Sequence, residues 1–195
     1  MLSLDQGREL VKIARKAVET RKVDKNFSKD FKIKKGVFVT IETYPEKELR
    51  GCIGFPYPTF PLGEAVQKAA ISAAFEDPRF EPLEREELSR VIFEVSILTE
   101  PELIEVKNPK EYFEKIEAGK DGLILQNGPF TGLFLPQVWD HFKTKQEFLE
   151  NLCFKAGLTP DYIYDKRTKI FKFKVQIFAE EKPNGKIVEI KRCEN

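Results

Sequence analysis

In the stretch Leu49-Arg50-Gly51-Cys52-Ile53-Gly54, a nucleophilic sulfur, a permanent cation and two glycines fall within six residues. Glycine gives up side-chain packing and costs backbone entropy, so a pair this close signals a special backbone demand. A cysteine between them is either an inert small hydrophobe or a reactive centre, according to whether its surroundings favour the thiolate. Arg50 carries a charge that favours a thiolate and a two-pronged guanidinium that recognises anions. Two chemistries therefore fit: nucleophilic or redox work by Cys52, and anion binding at Arg50. The plainer readings are a packed thiol and a cross-strand ion pair for Arg50, and no base that would activate Cys52 is evident.

Strand alternation decides which residues share a surface. "LRGCIGF" places Leu49, Gly51, Ile53 and Phe55 on one face and Arg50, Cys52 and Gly54 on the other. The preceding run "VFVTIETY" divides likewise, into Val37, Val39 and Ile41 against Phe38, Thr40, Glu42 and Tyr44. Matching apolar face to apolar face allows registers of one parity only. A three-residue loop, Pro45-Glu46-Lys47, satisfies that parity and pairs Arg50 with Glu42 and Cys52 with Thr40. The flanking Gly51 and Gly54 would admit a ligand close to the backbone. Thr40 and Glu42 complete the expected ligand-binding set of Arg50, Gly51 and Gly54, and Asp77 and Arg79 of "EDPRF" form a second tier beyond their turn chemistry.

Other reactive side chains read as structural. His141 follows Trp139 and Asp140 without any spacing that brings it to Cys52. Cys153 falls on an apolar helix face, and Cys193 lies in the tail. Lys169, Lys172 and Lys174 interleave with Phe171 and Phe173, a pattern that suits nucleic acid. Because Phe171, Phe173, Val175 and Ile177 share a face, an ordinary strand with a solvated lysine face explains it, and the net charge of +1 lacks a basic footprint.

The elements that must position these residues follow from caps and periodicity. Ser3 and Gln6 make a capping box for a helix to about Thr20. Pro61 opens a second helix whose alanine-rich face, Ala65 to Ala74, lets it lie close to a sheet. "DPRF" suits a type I turn, and "VIFEVSIL" from Val91 is a third strand. Asn108, Pro109 and Glu111 start another helix ending near Gly119. "GLILQNGPFTGLFL" is a hairpin about Asn127-Gly128, Thr144 and Glu147 cap a helix stopped at Gly157, and "KIFKFKVQIF" is the last strand. The order hairpin, helix, strand thus occurs twice, over Gly36 to Leu98 and Gly122 to Phe178. Hairpins without crossovers predict an α+β fold with a mainly antiparallel sheet flanked by helices, organised as one domain over residues 1–195.

Composition narrows the class. The chain has 195 residues, enough for a sizeable core, and its 17 phenylalanines supply large apolar surfaces. Charged residues are 33%, against about a quarter in typical domains, which resembles a thermophile's surface. Arg21–Lys35 holds seven basic and two acidic residues, whereas Glu76–Glu105 holds ten acidic and three basic. Three cysteines without metal-ligand spacing favour a reducing, cytoplasmic setting, and a single histidine argues against an imidazole-rich metal site. The N-terminal stretch lacks a signal-peptide pattern, and no apolar run approaches the roughly 20 residues that span a membrane.

Taken together, "LRGCIG", "AAFEDPRFEPLEREELSRVIFEVSILTEPE", "GLFLPQVW" and "EFLENLCFKAGL" resemble the AMME chromosomal region protein family, the AMMECR domain, over about Gly36 to Phe178. The resemblance implies a compact intracellular α+β protein with two lobes, the first motif lining a cleft, and carries over Arg50, Gly51, Cys52 and Gly54 as site residues. It supplies no reaction and no cofactor, and no role for His141. It also implies association with a radical-SAM enzyme and with a Memo-type protein similar to metal-dependent dioxygenases. The expected function is therefore an enzyme or redox component of a modification pathway, with Cys52 as nucleophile or reversible thiol. The alternative is a non-catalytic protein binding a small anion or a partner peptide in the same cleft. RNA binding through the lysine strand is the third reading.

Overall fold

The structure, a computed structural model, describes residues 1–191 of the chain, so Cys193 lies outside the described residues. In chain order the elements are α1 (Leu4–Thr20), β1 (Val37–Thr43), β2 (Leu49–Phe55), α2 (Leu62–Phe75), β3 (Val91–Leu98), β4 (Glu102–Leu103), α3 (Tyr112–Lys115), β5 (Gly122–Asn127), β6 (Phe130–Phe134), α4 (Lys145–Lys155), β7 (Lys169–Phe173), β8 (Val175–Glu180) and β9 (Ile187–Ile190). They form an α+β fold with two sheets, in the orders β2-β1-β3-β8-β9 and β4-β7-β5-β6. The β1–β2, β1–β3, β8–β9, β4–β7, β5–β6 and β5–β7 pairs are all antiparallel. The chain divides into two compact units, Met1–Leu98 with the segment from Gln176, and Thr99–Val175.

In the first unit, the capping box of Ser3 and Gln6 starts α1. Leu10, Val11, Ala14 and Val18 enter a core shared with Val37, Val39, Ile41, Val95 and the alanine face of α2. Arg15 is drawn into this core from α1. Its Nε lies 2.8 Å from Glu180 of β8, its Nη1 and Nη2 donate to the carbonyls of Leu88 and Val91, and it stacks over Phe93. Glu180 in turn accepts the Phe93 backbone N–H. A buried ion pair withstands desolvation only when its remaining donors and acceptors are met in this way.

The second unit has its own core, in which Trp139 and Phe148 stack with ring centroids 3.6 Å apart. Its sheet repeats a local arrangement of the first. In one, the hairpin β1–β2 is followed by α2 and then by β3, which pairs with β1; in the other, β5–β6 is followed by α4 and then by β7, which pairs with β5. Each hairpin's second strand carries a glycine against the backbone of the following helix. A Cβ on Gly132 would lie 2.7 Å from the Leu152 carbonyl oxygen, and one on Gly51 would overlap the Ala73 carbonyl oxygen.

Three elements differ from the sequence expectation. "KIFKFKVQIF" is two strands: β7 joins the second sheet and β8 the first, separated at Lys174. Periodicity shows that a run is extended but carries no information on which neighbour pairs with it. The shared face of Phe171 and Phe173 therefore ends at Phe173 and does not continue into Val175 and Ile177. The helix expected from Asn108 to near Gly119 is a 3-10 turn at Pro109–Glu111 followed by the single turn α3, although its capping box forms. The second hairpin turns about Gly128-Pro129, since Asn127 pairs with Phe130, and Gly128 has φ +57°.

The close approach at Gly51 has a direct consequence. Alanine relieves the strand entropy penalty of glycine by roughly 0.5–1 kcal/mol, whereas overpacking against an immobile backbone carbonyl costs about 1–3 kcal/mol. Gly51→Ala should therefore lower the urea midpoint at unchanged m-value; an equal or higher midpoint would refute the packing assignment.

Candidate functional site

The motif lies on β2, an edge strand. Thr40 faces Cys52 as expected, and Ile41 faces Gly51, but Glu42 faces Leu49, not Arg50. The cause is the turn. Thr43 N donates to the Glu48 carbonyl, leaving four residues, Tyr44 to Lys47, in the loop where three were expected. The extra loop residue shifts the register by one, and a bulge at Arg50 restores it before Gly51. Without that compensation, Cys52 and Ile53 would exchange faces. Val37, Val39 and Ile41 are fully buried, and Ile53 and Phe55 pack against the same core.

Cys52 turns its backbone outward. Its N–H donates to Asp77 Oδ2 at 2.9 Å, and its carbonyl accepts from Arg79 Nη2 at 3.3 Å. Both groups therefore point away from β1, which makes Thr40 and Cys52 a non-hydrogen-bonded pair with close side chains. The Thr40 hydroxyl accordingly reaches Cys52 Sγ at 3.4 Å. Asp77 is brought back to the strand by the turn after α2, closed by the Phe80 N–H donating to the Asp77 carbonyl at 3.1 Å. Its carboxylate also receives Arg79 Nε at 2.9 Å and Nη2 at 2.7 Å. The Asp77–Arg79 pair thus occupies, at Cys52, the donor and acceptor that a further strand would use. Asp77 is 4% exposed. The Arg79 hydrogen bonds, with smaller help from the Cys52 N–H, hold its carboxyl down at about 2 against the cost of burial.

Arg50 does not serve the thiol. Its Nε and Nη2 donate to the two carboxylate oxygens of Glu87 at 2.8 and 3.0 Å, and that bidentate contact pulls the Glu87 carboxyl below its ordinary value. The thiol's charged neighbours are Arg79, Glu94 and Asp77. Burial pushes the Cys52 thiol up, and the Thr40 hydroxyl and Arg79 only partly oppose it. Arg50 is not among the charged groups that act on the thiol, and its guanidinium is held by Glu87. Glu42, deprived of Arg50, has its carboxyl raised by burial, with Lys47 acting against it. The remaining nitrogen of Arg50, Nη1, is buried and has no hydrogen-bond partner among the described residues. The half-buried ring of Phe80 lies beneath two guanidinium groups, 5.9 Å from Arg50 Cζ and 5.4 Å from Arg79 Cζ.

The space a side chain would take is filled at both glycines: Gly51 faces α2, and the ring of Phe38 lies where a side chain on Gly54 would go. Their observed contact is packing. Sequence reasoning missed Glu87, which lies far along the chain in a 3-10 segment, and the row Cys52–Thr40–Glu94 across three strands. Glu94 was signalled as the sole charged residue of β3. His141, at the end of the 3-10 segment Pro136–His141, belongs to the second unit. Cys153 is fully buried, and burial drives its thiol up to about 11. Of the lysine strand, Lys174 Nζ is 2.8 Å from Asp121, and Lys172 Nζ donates to the Lys115 carbonyl at 3.5 Å, so two of its three cations are engaged locally. Among the described residues no group of three or more His, Cys, Asp or Glu side chains is placed to hold a metal ion, and no helix is long and apolar enough to cross a membrane.

Comparison with known proteins agrees with this fold. The family model described as AMMECR1 matches residues 11–178. The chain is similar to protein MJ0810 of Methanocaldococcus jannaschii, 48% identical over 201 residues and covering 98% of each chain. It is also similar to protein MK0488 of Methanopyrus kandleri, 46% identical over 200 residues, covering 96% of this chain and 95% of the relative. The crystal structure of the uncharacterized protein PH0010 from Pyrococcus horikoshii superimposes with a TM-score of 0.88 at 45% identity, covering 95% of this chain and 97% of that one.

The Asp77 contacts predict an acid-limb effect. With a folded-state value depressed to about 2 and an unfolded value of about 3.9, the unfolded chain takes up the proton first on acidification. The stabilisation is therefore present above pH about 4 and lost as pH falls through about 2. Urea midpoints of wild type and Asp77→Asn should converge across that window; a difference independent of pH there would remove the charged contact as its source.

Proposed function

Starting from a chain that belongs to the AMMECR1 family, we propose that it is a binding module whose outer β2 face takes a carboxylate at Arg50. The observation that carries this reading is the orphaned Nη1 of Arg50. A buried donor without an acceptor costs about 1–3 kcal/mol, and an entering carboxylate oxygen relieves that cost. Glu87 has already oriented the guanidinium through its other edge, so little further ordering is required on binding. The partly exposed ring of Phe80 lies 5.9 Å from Arg50 Cζ and is the neighbouring group with freedom to move on binding.

In this reading Cys52 packs and orients without reacting. Burial pushes its thiol up, its backbone is clamped by Asp77 and Arg79, and Glu87 holds the arginine of the motif. Both a small organic acid and the terminal carboxylate of a partner peptide present the required group.

Succinate and an unrelated peptide ending in a free carboxylate serve as probes. Titration of either, followed by nitrogen NMR of the arginine side chains, should perturb Arg50 and the Phe80 ring. Arg50→Lys should abolish the response, because an ammonium cannot hold Glu87 bidentately and present a further in-plane donor, while Cys52→Ser should keep it. No perturbation by millimolar carboxylate would sink the proposal. For the thiol, iodoacetamide alkylation of Cys52 in the folded protein should reach half its maximal rate at a higher pH than in the unfolded chain; a lower pH would restore the nucleophile reading.

A further inference from the structure

The second unit contains a groove of about 880 Å³ between the chain that leaves β4 and the segment that enters β7. Its size falls in the range of small-molecule sites, about 300–1,000 Å³. The two walls are joined at depth, where the buried Tyr112 hydroxyl donates to the Thr168 carbonyl at 3.3 Å. Ile104 N donates to the Ile170 carbonyl at 2.9 Å, and beyond that bond the strands part to open the groove.

The charges around it are unequally committed. Glu111 accepts from the backbone N–H groups of Lys107 and Asn108 and pairs with Lys115 at 3.4 Å. Asp165 is held by Arg167 at 2.7 Å. Among the described residues, Lys107, Lys166 and Lys169 have no carboxylate within ion-pair distance, and Glu105 is the one acidic lining residue outside these pairs. Two walls thus present three uncommitted ammonium groups against one carboxylate. Tyr164 adds a large aromatic side chain, 47% exposed, to the same lining.

We infer that this groove binds a nucleoside phosphate, its phosphates among Lys107, Lys166 and Lys169 and its base against Tyr164. Lysine meets phosphate as a point charge without fixed geometry, which suits three exposed, flexible ammonium groups. Aromatic stacking accepts any base because every base has a π-face. The inference does not depend on the carboxylate site at Arg50, which belongs to the other unit.

Equilibrium dialysis of the full chain with ADP, pyrophosphate, adenosine and a short oligouridylate tests it. ADP should bind more tightly than pyrophosphate and than adenosine, and rising salt should weaken it. The double variant Lys166→Ala/Lys169→Ala should lose affinity for ADP roughly tenfold or more, and Tyr164→Leu should weaken ADP while sparing pyrophosphate. Arg50→Lys should change none of these values, which separates this site from the carboxylate site. All substituted side chains in the groove are exposed, and unchanged thermal midpoints would confirm intact folding. Absence of ADP binding at millimolar concentration would overturn the inference, as would equal affinity for ADP and pyrophosphate. Binding of the oligouridylate alone would overturn it in favour of an extended nucleic-acid surface.

Discussion

The approach of α2 to the β1–β2 hairpin is the constraint on which the site depends. Gly51 leaves no atom where a side chain would meet the Ala73 carbonyl, and the buried face of α2 is made largely of small alanine side chains. A helix lying this close ends two residues before Asp77, and the turn at Asp77–Phe80 then carries the carboxylate to the Cys52 backbone. A larger residue at Gly51 would therefore displace the site as well as the core. Conservation of space on the inner face and delivery of charge at the strand edge are one geometric event.

Charge on the outer face is organised by competition for two arginines. Asp77 takes Arg79, and Glu87 takes Arg50, each through paired hydrogen bonds. Paired contacts of this kind are planar and directional, so they fix each guanidinium and leave little charge free to ionise a neighbouring thiol. Burial is then the largest influence on Cys52 and pushes its thiol up. The same pairing leaves Arg50 Nη1 enclosed without an acceptor among the described residues, a costly arrangement for a buried donor.

The second unit shows how the hairpin–helix–strand plan behaves without these charges. Gly132 receives α4 as Gly51 receives α2, and Gly132 faces Leu125 as Gly51 faces Ile41. The next pair along is Leu133 with Ile124, where the first unit has Cys52 with Thr40. The polar face is thus a property of the side chains placed on the hairpin and not of the hairpin itself. The lysine-bearing groove of the second unit arises elsewhere, where β4 ends after two residues and the chain turns away from β7.

Local and periodic features were legible in the sequence by itself. The helix caps at Ser3 and Thr144, the alanine face of α2, the turn at Asp77–Phe80, the Thr40–Cys52 pairing and the separation of Cys52 from Ile53 all follow from side-chain type and spacing, which act over a few residues. Tertiary structure alone decided the partner of Arg50, because a four-residue loop and its compensating bulge preserve the hydrophobic parity that a three-residue loop also satisfies. It also decided that Asp77 clamps Cys52, what fills the side-chain space at Gly51 and Gly54, and that "KIFKFKVQIF" is shared by two sheets. The physical reason is common to all of these. Alternation assigns a residue to a face, but the charge that reaches that face, and the strand that pairs with its edge, come from segments distant in the chain.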